Sequence, residues 1–468
     1  MWGSEISYGT RTSSPKITSI IVVSKVLRGQ RQCNQQRHKN RRRALPPAAF
    51  LPARRFRFIR GSIVKFTGMP RYRFRYMALF RRLRPRPLSA FAIPAIIAAA
   101  FAVLRPSASP RALAAAPAAA NLIVAKVTDM GPAPQSREIR GRDGGYSFIF
   151  GGHVVWVFGD TFLNHPNAQH RGLLSDSWSF TDDLNAQDGL AGFHERLDST
   201  GAPTMLYPET PAEKSFNTDH DGNHCRVKAC GARFALWPAA MVADPDRHRA
   251  LLFYSVISAH PGEFHSIGSS VAIWENFADS PRRPAVDPPV VPDHPELLFK
   301  QEERPLGAAA LMKNGMLYAY GCEAPGLAKP CKLGRVSPAN VMDRRAWSFY
   351  AGNGNWTPQL FDSAVVFDGQ DIMNVSYNDF LQEYVAIYSR VLSQDVMIRT
   401  ASSPEGPWSD EVKAFTVFPP KDGGNVYDAL AHPEYNVDGG RIMFVTYTRG
   451  TGPFASEMRL FSVEFKPR

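Results

Sequence analysis

The sequence is short of cysteine, nearly free of acid in its first quarter, and without a helix-period segment of any length after Asn121. Each shortage excludes something. Residues 1–76 carry 18 Lys and Arg but one acid, Glu5, and residues 77–120 add six Arg and no acid. From Asn121 onward the balance reverses, with 31 basic and 41 acidic residues. The formal net charge of +13 therefore belongs to the leader, and the acidic body gives no ground for a nucleic-acid partner. Missing too are a Gly-x-x-x-x-Gly-Lys phosphate loop, a Gly-x-Ser-x-Gly nucleophile elbow and a His-Glu-x-x-His helix, which lowers nucleotide, esterase and zinc-protease readings. No metal site is expected. A zinc site would have to use His220, His224 and Cys225 without any Cys-x-x-Cys spacing. Acidic loops such as Asp219–Asp221 could hold a structural calcium ion, although no EF-hand spacing is present, and no other cofactor is implied.

The leader has the order of an export signal. Met77 opens a basic stretch, Leu88–Leu104 is apolar, and small residues run to Ala120. Seventeen apolar residues interrupted by Pro94 are marginal for a membrane span, so cleavage is expected, with no membrane association afterwards. Arg81-Arg82 could engage twin-arginine export. Upstream, residues 1–76 read as a start codon placed too early, or else as a basic disordered arm. A secreted, periplasmic or cell-surface location follows. Cysteine usage agrees with it: beyond Cys33 in the leader, Cys225 with Cys230 and Cys322 with Cys331 form two close pairs suited to disulfides.

What the body does contain is one kind of strand, repeated. His153–Gly159, Leu251–Ile257, Gly315–Gly321, Glu383–Ser389 and Arg441–Tyr447 are apolar, aromatic-rich runs, each flanked by a shorter candidate strand on either side. Turn residues such as Asp244-Pro245-Asp246, Asn314-Gly315 and Asp438-Gly439-Gly440 sit between the first and second strand of a repeat. Five such repeats predict an all-β chain, a single-domain five-bladed β-propeller over residues 121–468, with Leu122–Val127 as the strand that closes the ring. The uneven repeat spacing leaves a β-sandwich with long loops as the alternative. The Asp182–Arg233 segment is the main insertion.

The first repeat carries the strongest functional signal. Gly151-Gly152 between Tyr146–Phe150 and His153–Phe158 predicts a two-residue hairpin turn. Counting back from that turn places Asp143 opposite Asp160, about 4.5–5.5 Å apart if the register holds. Two carboxylates that close suit a glycosidase, where one acts as nucleophile or base and the other as general acid. Glu323, at the end of the third middle strand, is a third catalytic candidate. Inner strands of a propeller start, and middle strands end, on one face. There Glu303, Asp428, His260 and His432 are candidate substrate-binding residues, with Trp237 and Tyr377 as sugar-stacking platforms.

These residues also carry a resemblance. Asp143-Gly-Gly-Tyr-Ser through Trp156-Val-Phe-Gly-Asp-Thr161 resembles the opening of an uncharacterised-domain family whose members include bacterial endo-D-arabinanases. Ser376–Ser389 and Ser403-Pro-Glu-Gly-Pro-Trp408 look like the fourth-blade pattern of arabinanase-like propellers. The resemblance implies a five-bladed fold and an active face built on Asp143 and Asp160. The Asn217–Gly231 insertion has no counterpart in that pattern. The expected function is thus an exported glycoside hydrolase acting on a furanosyl polysaccharide, arabinan first. The alternatives are a non-catalytic propeller that binds glycan or a protein partner, and a calcium-dependent lyase or phosphodiesterase.

Overall fold

The structure, a computed structural model, describes residues 122–467 apart from 222–224, 261, 304–305, 323–328 and 422–425. The expectations for the leader, for Glu323 and for His224 therefore lie outside the described residues. Five larger antiparallel sheets follow one another along the chain, and a sixth, small sheet of Ile139–Gly141, Thr161–Leu163 and Leu173–Leu174 is interleaved in sequence with the first. The first is Gly144–Phe150, His153–Phe158, Ser177–Thr181 and His194–Glu195. The second is Arg233–Asp244, Arg249–His260, Glu263–Trp274 and Phe299–Lys300. The third opens with Ala309–Lys313, Met316–Cys322 and Lys329–Val336. It then adds Ser348–Gly352, Asn355–Thr357 and Phe367–Gly369, none of which the repeat pattern anticipated. The fourth is Asn374–Asn378, Glu383–Ser389, Asp395–Ala401 and Val412–Thr416. The fifth is Val426–Ala431, Ile442–Gly452 and Ala455–Pro467, completed by Leu122–Pro132 from the other end of the described chain.

These sheets close on themselves. The first strands of the five contact each other in cyclic order, the fifth touching the first. Each neighbouring pair of sheets encloses its own apolar core. Val155, Val157 and Trp178 meet Leu252, Tyr254 and Trp274 between the first and second. On the opposite side of the same middle strand, Val154, Trp156 and Phe158 meet Phe444, Met458 and Leu460 of the fifth. A strand buried on both sides has no polar face, which is why His153–Phe158 reads as a continuous apolar run. Tyr146, Ala240, Ala309, Met373 and Leu430, one from each sheet or its entry, line a narrow axial space of about 20 Å³.

Both glycines of the first hairpin turn have positive φ, 63° at Gly151 and 88° at Gly152, and the pairing from Phe150↔His153 to Tyr146↔Val157 is the one counted from the turn. Past Tyr146 it changes. Gly145, at φ 105°, is an extra residue, so Gly144 pairs with Phe158, and the Gly159 N–H donates to the Asp143 carbonyl at 2.8 Å. Asp143 is thus set opposite Gly159 and not opposite Asp160. An α-helix, Pro211–His220, lies in the insertion, where the sequence shows no helical periodicity. Its Thr210 and Glu213 form a reciprocal cap. No helix among the described residues is long and apolar enough to cross a membrane.

Candidate active site

The turns between first and second strands lie at one end of the sheets, and the acids gather at the other, where first strands start and second strands end. Two bulges build this site. The Gly145 bulge in the first sheet brings the Gly144 N–H to Asp428 Oδ2 at 3.1 Å. In the fifth sheet the register slips between Tyr427 and Leu430, with Asp428 held at φ 56°. That break turns both side chains toward the first sheet, and the Tyr427 hydroxyl donates to Asp143 Oδ2 at 3.2 Å. Gly159 is needed for a different reason. A Cβ there would lie 2.5 Å from Asp143 Oδ1, so the glycine leaves room for the carboxyl.

Asp160 is held from the second sheet. One Arg233 nitrogen donates to both of its carboxylate oxygens, at 2.8 and 2.9 Å, and Trp237 Nε1 donates to Oδ1 at 3.0 Å. The Thr161 hydroxyl beside it bonds the Gly159 carbonyl at 2.9 Å and Ser177 at 2.8 Å, pinning the turn.

Burial dominates the electrostatics of Asp143 and Asp428. Burial, then the Asp428 charge, then the Asp160 charge push the Asp143 carboxyl well above the usual range; Tyr427 pulls the other way. Burial first, and the Asp371 charge with it, raise Asp428 to about 7, against the Gly144 hydrogen bond and Lys329. Tyr427 is itself raised by burial and by Asp143 and Asp428, so its hydroxyl stays a donor. Asp371 and Lys329, which form an ion pair, complete the charged surroundings from the third and fourth sheets. Asp143 and Asp428 titrate as a pair, because ionising one raises the cost of ionising the other.

The other expected site residues are placed as follows. Trp237 and Asp428 lie in the cluster, and His260 ends the Arg249–His260 strand at the same end, 3.3 Å from the Ser258 hydroxyl. His432 is fully buried away from the face. Its Nδ1 meets the Ser147 hydroxyl at 2.5 Å, its Nε2 meets Thr446 at 2.7 Å, and burial lowers it to about 3. It is a neutral interior residue, not a substrate contact. Tyr377 sits at the turn end of its strand, against Tyr384 and Gln382, the wrong end for the acids. Glu303 bonds Arg344 at 2.5 Å and lines a separate open groove of about 790 Å³, to which none of the three acids contributes. Both disulfides are formed, Cys225–Cys230 and Cys322–Cys331. Arg233, Tyr427, Lys329 and Asp371 were not anticipated. Arg233 and Lys329 open their strands and Tyr427 stands second in its own, positions that place them at the acid end.

Among the described residues the group that could gather round a metal is Glu213, His294 and Glu296, and there Arg283 already bonds both carboxylates.

Residues 132–449 match the family model described as Domain of unknown function (DUF4185). The chain belongs to this family. The DUF4185 match takes in Asp143, Asp160 and Asp428 together. No curated protein matches the sequence. Among solved structures, the chain is similar to a family 117 glycoside hydrolase of Zobellia galactanivorans, at 11% identity and TM-score 0.43, covering 74% of this chain and 91% of that one. A GH43_1 enzyme of Xanthomonas citri complexed with xylose gives 12% and 0.41, covering 71% and 90%. The α-L-arabinofuranosidase of Podospora anserina in complex with cellotriose gives 10% and 0.37, covering 73% and 96%. With scores this low, none of the three bears on the chemistry of the DUF4185 site.

Proposed function

We propose that the chain is an exported five-bladed β-propeller glycoside hydrolase acting on a furanosyl polysaccharide, with an arabinan-type polymer first. The observation that carries this is the clustering of carboxyls at one end of the sheets: Asp143 and Asp428, raised by burial, beside Asp160 gripped by Arg233 and Trp237. Glycoside hydrolysis needs one carboxyl that still has its proton near neutrality and one that can act as base or nucleophile. Asp143 is the general acid and gives its proton to the glycosidic oxygen as the bond to the anomeric carbon breaks. Asp160 either takes a proton from the attacking water or bonds the anomeric carbon until water, giving its proton to the Asp143 carboxylate, displaces it. Asp428 keeps Asp143 protonated, and Tyr427 orients it. The likeness of Trp156–Thr161 and its surroundings to arabinanase-type sequences supports the choice of polymer.

The test is release of reducing ends from arabinans, galactans and fructans by the wild-type protein, Asp143→Asn and Asp160→Asn. The expected outcome is turnover of one polymer, reduced about a hundredfold or more in each variant. Binding of a polymer without turnover by the wild type would assign the same face to a non-catalytic glycan-binding protein instead.

A further inference from the structure

The middle strands of the first, third and fourth sheets have six or seven residues, whereas Arg249–His260 and Glu263–Trp274 of the second sheet have 12 each. Their hairpin therefore continues past the level at which the middle strand of the first sheet stops. It does so at the acid end, since it is the end at which a middle strand finishes. At its tip Ala259 pairs with Phe264 on one side and with Arg233 on the other. Arg233 is the residue that grips Asp160.

Phe264 is out of keeping with a surface hairpin. It is 58% exposed, yet its ring lies 5.7 Å from that of Trp237, tilted by 38°. Trp237 in turn donates its indole N–H to Asp160. Two aromatic rings thus run outward from the carboxylate, the inner one fixed by a hydrogen bond and the outer one presented to solvent by a raised hairpin. An exposed aromatic ring costs hydration free energy unless something covers it. The apolar face of a sugar ring is suited to do so, since its C–H groups sit well on a π surface while its hydroxyls stay in water.

Resting on the hydrolase reading above, we infer that Trp237 and Phe264 form a stacking subsite for a sugar ring neighbouring the one cleaved. The substrate is then a chain of several rings lying across the second sheet, and not a single sugar on a small leaving group. Phe264 contributes affinity that grows with chain length. It takes no part in bond cleavage.

Binding by the full-length protein in the Asp143→Asn background, where turnover is suppressed, tests this. Tryptophan fluorescence would follow titration with arabinan-, galactan- and fructan-derived oligosaccharides from disaccharide to hexasaccharide. Adding Phe264→Ala should weaken hexasaccharide binding about three- to tenfold and disaccharide binding less, while Phe264→Tyr should restore it. Equal hexasaccharide affinity with and without the Phe264 ring would overturn the subsite and leave the hydrolase reading standing. A parent protein that binds no member of any series would overturn both. Thermal unfolding of Phe264→Ala distinguishes a lost contact from a lost fold, and the exposed position predicts an unchanged midpoint.

Discussion

At the residue scale, the Asp143 carboxyl sits between opposing influences, and two substitutions should move it in opposite directions. A general acid works only while protonated, so activity falls as pH rises through its pKa. Asp428→Asn removes a negative charge that raises Asp143, and the alkaline limb of kcat/KM should move to lower pH. Tyr427→Phe removes the hydrogen bond that lowers Asp143, and the same limb should move to higher pH. Movement of both limbs in one direction would contradict the assignment. A second residue predicts stability instead. Asp176 is fully buried; its Oδ1 accepts from the Leu206 and Tyr207 N–H groups and its Oδ2 has no partner. Burial raises it to about 8. Between the unfolded value of about 4 and the folded value of about 8, the native state holds more protons than the unfolded state. Stability is therefore lost as pH rises through that window. Asp176→Asn keeps the acceptor and cannot ionise. Its melting temperature should match wild type at about pH 4 and exceed it by several degrees at about pH 9.

At the element scale, the sequence reading succeeded where the physics was local. Gly151-Gly152 has the positive φ its turn requires, and the register was correct as far as Tyr146. It failed two residues later, because counting from a turn cannot detect an inserted residue. The Gly144-Gly145 pair was the available sign, since glycine inside a strand often marks a bulge. Gly145→Ala should cost about 1–3 kcal/mol in chemical denaturation. It would strain a residue at φ 105° and place a Cβ 2.5 Å from Met458 Sδ. The Pro211–His220 helix shows the same limit in reverse. Its Thr-Pro-Ala-Glu start is a helix-initiation signal, but its length falls below what hydrophobic periodicity can reveal. His432 and Tyr377 were misplaced because a residue type says nothing of depth within a strand or of which end it occupies.

At the scale of the whole molecule, the ring depends on a strand from the far end of the sequence. Leu122–Pro132 pairs along Ala455–Pro467, and Leu122 is buried in the core between the fourth and fifth sheets. Removing residues 122–132 should strip the edge of the fifth sheet and leave a protein that aggregates or loses its cooperative thermal transition. Circular dichroism with size-exclusion chromatography checks this. Five repeated runs made the all-β class and the order of sheets legible. The gathering of Asp143, Asp160, Asp428, Arg233 and Lys329 at one end was legible only in part, since those charges come from four different sheets and their pairing is decided by ring closure. The measurement closest to the central claim is the pH dependence of polysaccharide cleavage by wild type and Asp143→Asn. Wild-type kcat/KM should fall on an alkaline limb above neutrality, and Asp143→Asn should be about a hundredfold or more slower with that limb gone. An Asp143→Asn protein that keeps both the rate and the limb would contradict the account.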